Sequence, residues 1–126
     1  MKINLLDHVN LVTTDVATMT DWYEKVLGLK KGTRPNFPFG GAWLYAGDIA
    51  LVHLVETKDQ TRVGSEANLK LEHFAFSASG REKFEQLLKD LDLPYELTEV
   101  RDVNLVQFHI ADPDGNHIHV DFDLDE

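Results

Sequence analysis

The chain repeats its own pattern at an offset of about 65 residues. His73 follows His8 by 65 positions, and His119 follows His53 by 66 positions. The same shift superposes two apolar stripes that have helical spacing, Met19, Trp22 and Val26 in the first copy and Phe84, Leu87 and Leu91 in the second. Histidines and helix stripes that match together indicate an internal duplication, and a duplicated chain must build the same unit twice.

The first copy predicts one strand, one helix and three further strands. Residues 5–13 alternate in polarity as a strand does. Asp15 is typical of a helix N-cap, and Gly28 is typical of the position just past a helix end. Extended segments follow at residues 29–33, 41–45 and 49–56, the last after a Gly47-Asp48 turn.

The second copy predicts the same order of elements. Residues 71–77 form a strand, and Ser79 with Glu82 forms a capping box before a helix that ends ahead of Pro94. Three more strands are predicted at residues 95–100, 105–111 and 117–122, the last two joined by a type I turn at residues 112–115. The sequence therefore predicts a single α+β domain over residues 1–126, made of two βαβββ modules, 1–57 and 68–126, that a polar linker, 58–67, connects.

Strand parity predicts which way the histidines face. Apolar residues must meet the helix, and residues one position away point to the opposite side of the sheet. On this basis four histidines point away from the helix in their copy of the repeat, namely His8, His53, His73 and His119. Neutral imidazole suits zinc, nickel or ferrous iron, and the chain has no cysteine to offer as a thiolate ligand. These four residues are the predicted ligands of one divalent ion. We expect His109 to lie behind the ligands or in the pocket with Gln107, and His117 to lie in the pocket or at its rim.

The composition limits the kinds of molecule that the chain is expected to bind. A hydrophobic content of 43% is typical of a globular domain, and a net charge of -10 argues against nucleic-acid or anionic-membrane surfaces. The chain has no apolar run of membrane-spanning length and no signal-peptide layout at its start, so a cytoplasmic location is expected.

Six segments, taken in order, resemble the glyoxalase/bleomycin-resistance/extradiol-dioxygenase family, also called the vicinal oxygen chelate superfamily. The resemblance covers nearly the whole chain. The segments that carry it are Leu6-Asp7-His8-Val9-Asn10-Leu11, Trp22-Tyr23-Glu24-Lys25-Val26-Leu27-Gly28-Leu29, Gly41-Ala42-Trp43-Leu44, Val52-His53-Leu54, Glu72-His73-Phe74-Ala75-Phe76 and Asp112-Pro113-Asp114-Gly115-Asn116.

The resemblance implies a U-shaped cup of two βαβββ modules, with metal ligands at His8, His53, His73 and His119. It also implies a homodimer, with active sites that two subunits can share. Family members that isomerise or open rings normally carry glutamate where this chain has His119. Asp121, on the same side of the strand, could replace that glutamate as ligand or base, or it could belong to the acidic tail; both interpretations stay open.

The resemblance implies a metal-dependent enzyme of lyase or isomerase type that binds adjacent oxygens of a small substrate. The ion would be Zn, Ni, Fe(II) or Mn. His119 or Asp121 is the candidate base, and a further set is expected to orient the substrate, namely Asn10, Gln107, Tyr45 and Arg34. We expect the Trp43 side chain to pack against its neighbours rather than to form part of the pocket wall. Two alternatives are a ferrous extradiol dioxygenase, which needs a carboxylate ligand, and a binding protein without catalysis.

Overall fold

The computed structural model describes residues 1, 6–63 and 71–126, and the chain forms two compact units, Met1–Val63 and Gly64–Glu126. The first unit contains, in chain order, β1 (Val9–Thr13), α1 (Val16–Leu27), β2 (Lys30–Lys31), β3 (Gly41–Ala46) and β4 (Ile49–Glu56). The second contains β5 (Phe74–Ser77), α2 (Arg81–Asp90), β6 (Glu96–Val100), β7 (Leu105–Ala111) and β8 (His117–Asp123).

Both units have the same sheet topology. The first sheet has the order β1-β4-β3-β2, in which β1 and β4 are parallel and the other neighbours antiparallel. The second sheet has the order β5-β8-β7-β6 with the same pattern of directions. The predicted α+β fold, with its βαβββ unit built twice, is therefore confirmed.

Helix α1 begins and ends where the sequence predicts. The Asp15 carboxylate accepts a hydrogen bond from the Thr18 backbone N–H at 2.9 Å and another from the Thr18 hydroxyl at 2.7 Å. Gly28 ends the helix in the left-handed conformation, with φ of 67°, which glycine adopts without steric cost. The buried stripe Met19, Tyr23 and Val26 turns towards the sheet, where α1 packs on β3 and β4.

Helix α2 begins differently from the prediction. The expected capping box at Ser79 is wrong, because Gly80 occupies the N-cap position and no side chain among the described residues caps the helix. Gly80 has φ of 91°, a conformation that residues with a Cβ rarely adopt, so the chain turns into the helix one residue after Ser79. Phe84 then packs edge-on against Phe108, with ring centroids 5.4 Å apart, and this contact places α2 on its sheet.

Three strands, β1, β2 and β5, are shorter than predicted by more than one residue. The strand expected at residues 29–33 contracts to Lys30–Lys31. His8 and His73 lie one residue ahead of β1 and β5 rather than within them. Residue 5 and residues 64–67 of the predicted linker lie outside the described residues, and Gln60–Arg62 of that linker forms a short 3-10 helix. No helix in the part of the chain that the structure describes has the length and apolar character to span a membrane.

The turn before β8 is held by a buried acid. Gly115 N–H donates to the Asp112 carbonyl at 2.9 Å, which closes the predicted four-residue turn. The Asp112 carboxylate accepts backbone N–H groups of Asp114 at 3.0 Å and Asn116 at 2.9 Å, and only 5% of the residue is exposed. These bonds fix the start of β8, the strand that carries two of the histidines.

Candidate metal centre

Four imidazoles gather on one face of the second sheet. His109 and His119 are partners across β7 and β8, and His117 lies two positions before His119, so its side chain leaves the same face. His73 lies just before β5, the parallel neighbour of β8. Ring centroids lie 3.9 Å apart for His73 and His119, 4.1 Å for His109 and His119, and 4.7 Å for His117 and His119.

His119 is the buried centre of this group. Only 6% of the residue is exposed, and neither of its ring nitrogens has a hydrogen-bond partner among the described residues. Burial lowers the pKa of His119, and the neighbouring imidazoles, His109 first, lower it further. The ring is therefore held neutral, and a neutral imidazole offers a lone pair. A buried polar atom without a partner is costly, so the nitrogens of His119, unpartnered among the described residues, make this ring a candidate ligand.

Glu72 holds two of the surrounding rings. One carboxylate oxygen lies 2.9 Å from Nδ1 of His117, and the other is hydrogen-bonded to Nδ1 of His73. These two bonds, the one from His73 more than the one from His117, lower the pKa of Glu72. An ionised carboxylate only accepts, so both rings carry their proton on Nδ1 and turn the Nε2 lone pair to the opposite edge.

The donor set fits a divalent ion. His73, His117 and His119 each offer one ring nitrogen, and these three atoms lie within 4.8 Å of one another. Zinc binds histidine nitrogen at about 2.0–2.1 Å, so the rings would have to turn towards a common ion to bring all three nitrogens within bonding distance of it. Three imidazoles suit zinc, nickel or ferrous iron better than calcium or magnesium, which prefer oxygen ligands.

The first unit carries a stack of three rings. The imidazoles of His8 and His53 lie 3.9 Å apart at an angle of 18°, and the Trp43 indole covers the His53 ring at 4.0 Å and 7°. The Asp7 carboxylate accepts a hydrogen bond from Nδ1 of His8 at 2.7 Å. Burial lowers the pKa of His53, and the neighbouring His8 lowers it further.

The predicted ligands therefore lie as two close pairs, one in each unit. His8 and His53 form the first pair, and His73 and His119 form the second. His53 and His119 face away from the helix side of their sheets, as parity predicts; the residues on either side of each, such as Val52 and Leu54 beside His53, are buried. That all four bind a single ion stays a prediction.

The predicted catalytic and substrate residues fall into two groups. Asn10 is exposed beside His53 in the register of β1 and β4, and Gln107 donates to the Asp121 carboxylate at 3.2 Å on the face that carries His119. Tyr45 and Arg34 are hydrogen-bonded to the segment that connects β2 and β3. The Tyr45 hydroxyl donates to the Thr33 carbonyl at 2.7 Å, and the Arg34 guanidinium donates to the Phe39 carbonyl at 2.9 Å.

Sequence reasoning did not assign two residues of the cluster, His117 as a ligand and Glu72 as its partner. A signal existed for each. His117 and His119 form a His-X-His pattern, which places both rings on one face of a strand. An acid also directly precedes the first histidine of each copy, as Asp7-His8 and Glu72-His73, and each acid is hydrogen-bonded to that histidine.

Comparison with known proteins agrees with this architecture. The chain is 27% identical over 125 residues to Glyoxylase I 4 of Arabidopsis thaliana, a match that covers 95% of this chain and 71% of the relative. A glyoxalase family protein from Bacillus anthracis superposes with a TM-score of 0.80 at 20% identity, covering 98% of both chains.

The lactoylglutathione lyase of Agrobacterium tumefaciens superposes with a TM-score of 0.72 at 17% identity, covering 97% of this chain and 96% of that one. At such identities the two structural likenesses concern the fold. The family model for the Glyoxalase/Bleomycin resistance protein/Dioxygenase superfamily matches residues 5–120. The chain belongs to the glyoxalase/bleomycin resistance protein/dioxygenase superfamily.

Proposed function

We propose that this protein is a metal-dependent enzyme of lyase or isomerase type that acts on a small molecule with two adjacent oxygens. The observation that carries the proposal is the buried His119 ring, whose two nitrogens have no hydrogen-bond partner in the described part of the chain although three other imidazoles surround it. Family membership supports it, as do the names of the Arabidopsis and Agrobacterium relatives.

The proposed ion is held by His73 and His119, with His8 and His53 as the further ligands that the family resemblance implies. When bound, a divalent ion acts as a Lewis acid that stabilises negative charge on substrate oxygens. Imidazole ligands carry no charge, so the protein leaves the positive charge of the ion available to an anionic oxygen.

Asp121 is the proposed proton acceptor. It lies two residues after His119 on the same face of β8, and the Gln107 amide donates to its Oδ1 at 3.2 Å. That bond orients the carboxylate, and a carboxylate so held can take a proton from carbon next to a carbonyl group. His119 is the alternative base where it is not a ligand.

The ferrous dioxygenase alternative has less support. Such sites use two histidines and a carboxylate, whereas the ligand group found among the described residues consists of three imidazoles. A protein that sequesters a small molecule without metal is the remaining alternative.

The test is metal-dependent proton exchange. The purified full chain is loaded with Zn²⁺, Ni²⁺, Mn²⁺ or Fe²⁺ in turn. Each sample is incubated in D₂O with lactoylglutathione and with smaller 2-hydroxycarbonyl compounds. NMR then measures how much deuterium is incorporated at the carbon next to the carbonyl group. We expect exchange that requires metal and that falls strongly in Asp121→Asn, with Asp123→Asn as the matched control. Oxygen uptake with iron would favour the dioxygenase, and failure to bind any of these ions would favour the sequestering protein.

The proposed enzyme also works as a homodimer, as the family resemblance implies. Light scattering coupled to size-exclusion chromatography measures this directly. A monomer that exchanges protons at full rate would contradict the dimer but leave the enzymatic proposal intact.

A further inference from the structure

The second unit contains an ion-binding geometry that the repeat does not predict. The repeat relates His73 to His8 and His119 to His53, but His117 has no histidine counterpart in the first copy, where Leu51 lies two residues before His53. The rings of His73 and His117 lie edge to face at 5.7 Å, and both adjoin His119. The second unit thus has two imidazoles, those of His109 and His117, that the duplication does not require.

Glu72 gives these rings a common orientation. Its two oxygens accept from Nδ1 of His73 and Nδ1 of His117, so one side chain aligns two candidate ligands at once. Nε2 of His117 lies 3.3 Å from Nδ1 of His109, in a long hydrogen bond that an incoming ion would replace. A carboxylate behind a histidine is the usual arrangement around protein-bound metal ions, because it fixes the ring and raises its basicity.

His119 provides the buried ligand of the group. It leaves the same face of β8 as His117, and residues two apart on a strand place their side chains side by side. Its neutral ring has unpartnered nitrogens among the described residues, whereas His73 and His117 are more exposed and open a path from solvent. The three rings together give one buried and two accessible donors.

We propose, resting on the metal dependence proposed above, that His117 is a metal ligand beside His73 and His119. Glu72 is the positioning residue that acts through His73 and His117. Three imidazoles leave coordination positions open for substrate oxygens. His117 is a ligand that neither the repeat nor the family resemblance supplies.

The test is metal affinity, measured on the full chain by calorimetry with Zn²⁺ and by the visible absorption of bound Co²⁺. We expect His117→Ala to weaken Zn²⁺ binding by more than the roughly 10–100-fold that the loss of an outer partner costs. His109→Ala is the matched control, because His109 touches His117 and His119 but lies outside the three-nitrogen group. We expect the Zn²⁺ affinity of His109→Ala to stay within about tenfold of that of the unmodified protein.

Two further measurements keep the test decisive if a variant misfolds. Far-UV circular dichroism checks each variant, and ¹⁵N shifts of the His117 ring in the unmodified protein report ligation directly. Unchanged affinity in His117→Ala would overturn the proposal while the metal-dependent function stands. An unmodified protein that takes up none of Zn²⁺, Co²⁺ or Ni²⁺ would remove the proposed function and this ligand set together.

Discussion

The indole of Trp43 lies flat on the imidazole of His53, with ring centroids 4.0 Å apart and planes 7° apart. The two residues are register partners on β3 and β4, so the sheet itself holds the contact. The side chain of Trp43 therefore packs against a candidate ligand, on the face of the sheet that carries His53. Its fluorescence therefore reports on that ring.

We predict that acid quenches Trp43 fluorescence with a midpoint below pH 6.5. Burial, followed by the neighbouring His8, lowers the pKa of His53 from its ordinary value of 6.5, so the quenching imidazolium forms only at lower pH. The measurement is a fluorescence titration of the metal-free protein in a Trp22→Phe background. His53→Gln should abolish the transition, and a midpoint at or above pH 6.5 would contradict the prediction.

Replacing Glu72 by glutamine should weaken Zn²⁺ binding by roughly 10–100-fold. Glutamine has one acceptor oxygen and no charge, so it cannot accept from both His73 and His117. Calorimetry of Glu72→Gln beside Glu82→Gln, which changes an exposed glutamate in the first turn of α2, measures the difference. Equal affinities in the two variants would show that Glu72 does not position these rings.

Asp15→Ala should lower the melting temperature by a few degrees, because Asp15 caps α1 through two bonds to Thr18. The same bonds lower the pKa of Asp15 below its ordinary value of 3.8. An acid with a lowered folded-state pKa stabilises the fold above its unfolded pKa, and this stabilisation disappears as pH falls through the folded value. Thermal melts from pH 7 to pH 2 should therefore show the two proteins converging at the acid end.

Ser79→Ala should leave the free energy of unfolding within about 0.5 kcal/mol of the unmodified protein. A serine that capped α2 would cost about 1 kcal/mol when replaced, but Gly80 is the N-cap here. Urea denaturation measures the difference. A loss as large as that of a true cap would restore the capping box that the structure contradicts.

Leu54→Ala should destabilise the fold by about 2–5 kcal/mol, because the side chain is fully buried on the helix face of β4 and its removal leaves a cavity. Leu97→Ala, at a position that is 49% exposed, is the matched control and should cost about 0.5 kcal/mol or less. Urea denaturation of both variants measures the loss in free energy of unfolding. Similar losses would mean that Leu54 does not lie on the helix face of β4.

The elements themselves were predictable where local signals agree with one another. Asp15 and Gly28 bracket α1 because capping is a property of neighbouring residues. The predicted capping box at Ser79 is wrong because Gly80, one residue later, adopts a left-handed conformation, which a pattern of serine and glutamate does not encode. His8 and His73 were placed on strands that begin one residue after them, because pairing with a neighbouring strand, and not alternation alone, decides where a strand starts.

The sequence by itself determined the duplication, the βαβββ order and the sheet face of His53 and His119, because periodicity and parity are fixed by backbone geometry. Only the tertiary structure decided which imidazoles meet within the second unit. His117 joins His73 and His119 because β8 lies beside β5, and Glu72 bridges two rings that are 44 positions apart in the chain. Contacts of that kind depend on strand pairing across long sequence separations, which local patterns do not specify.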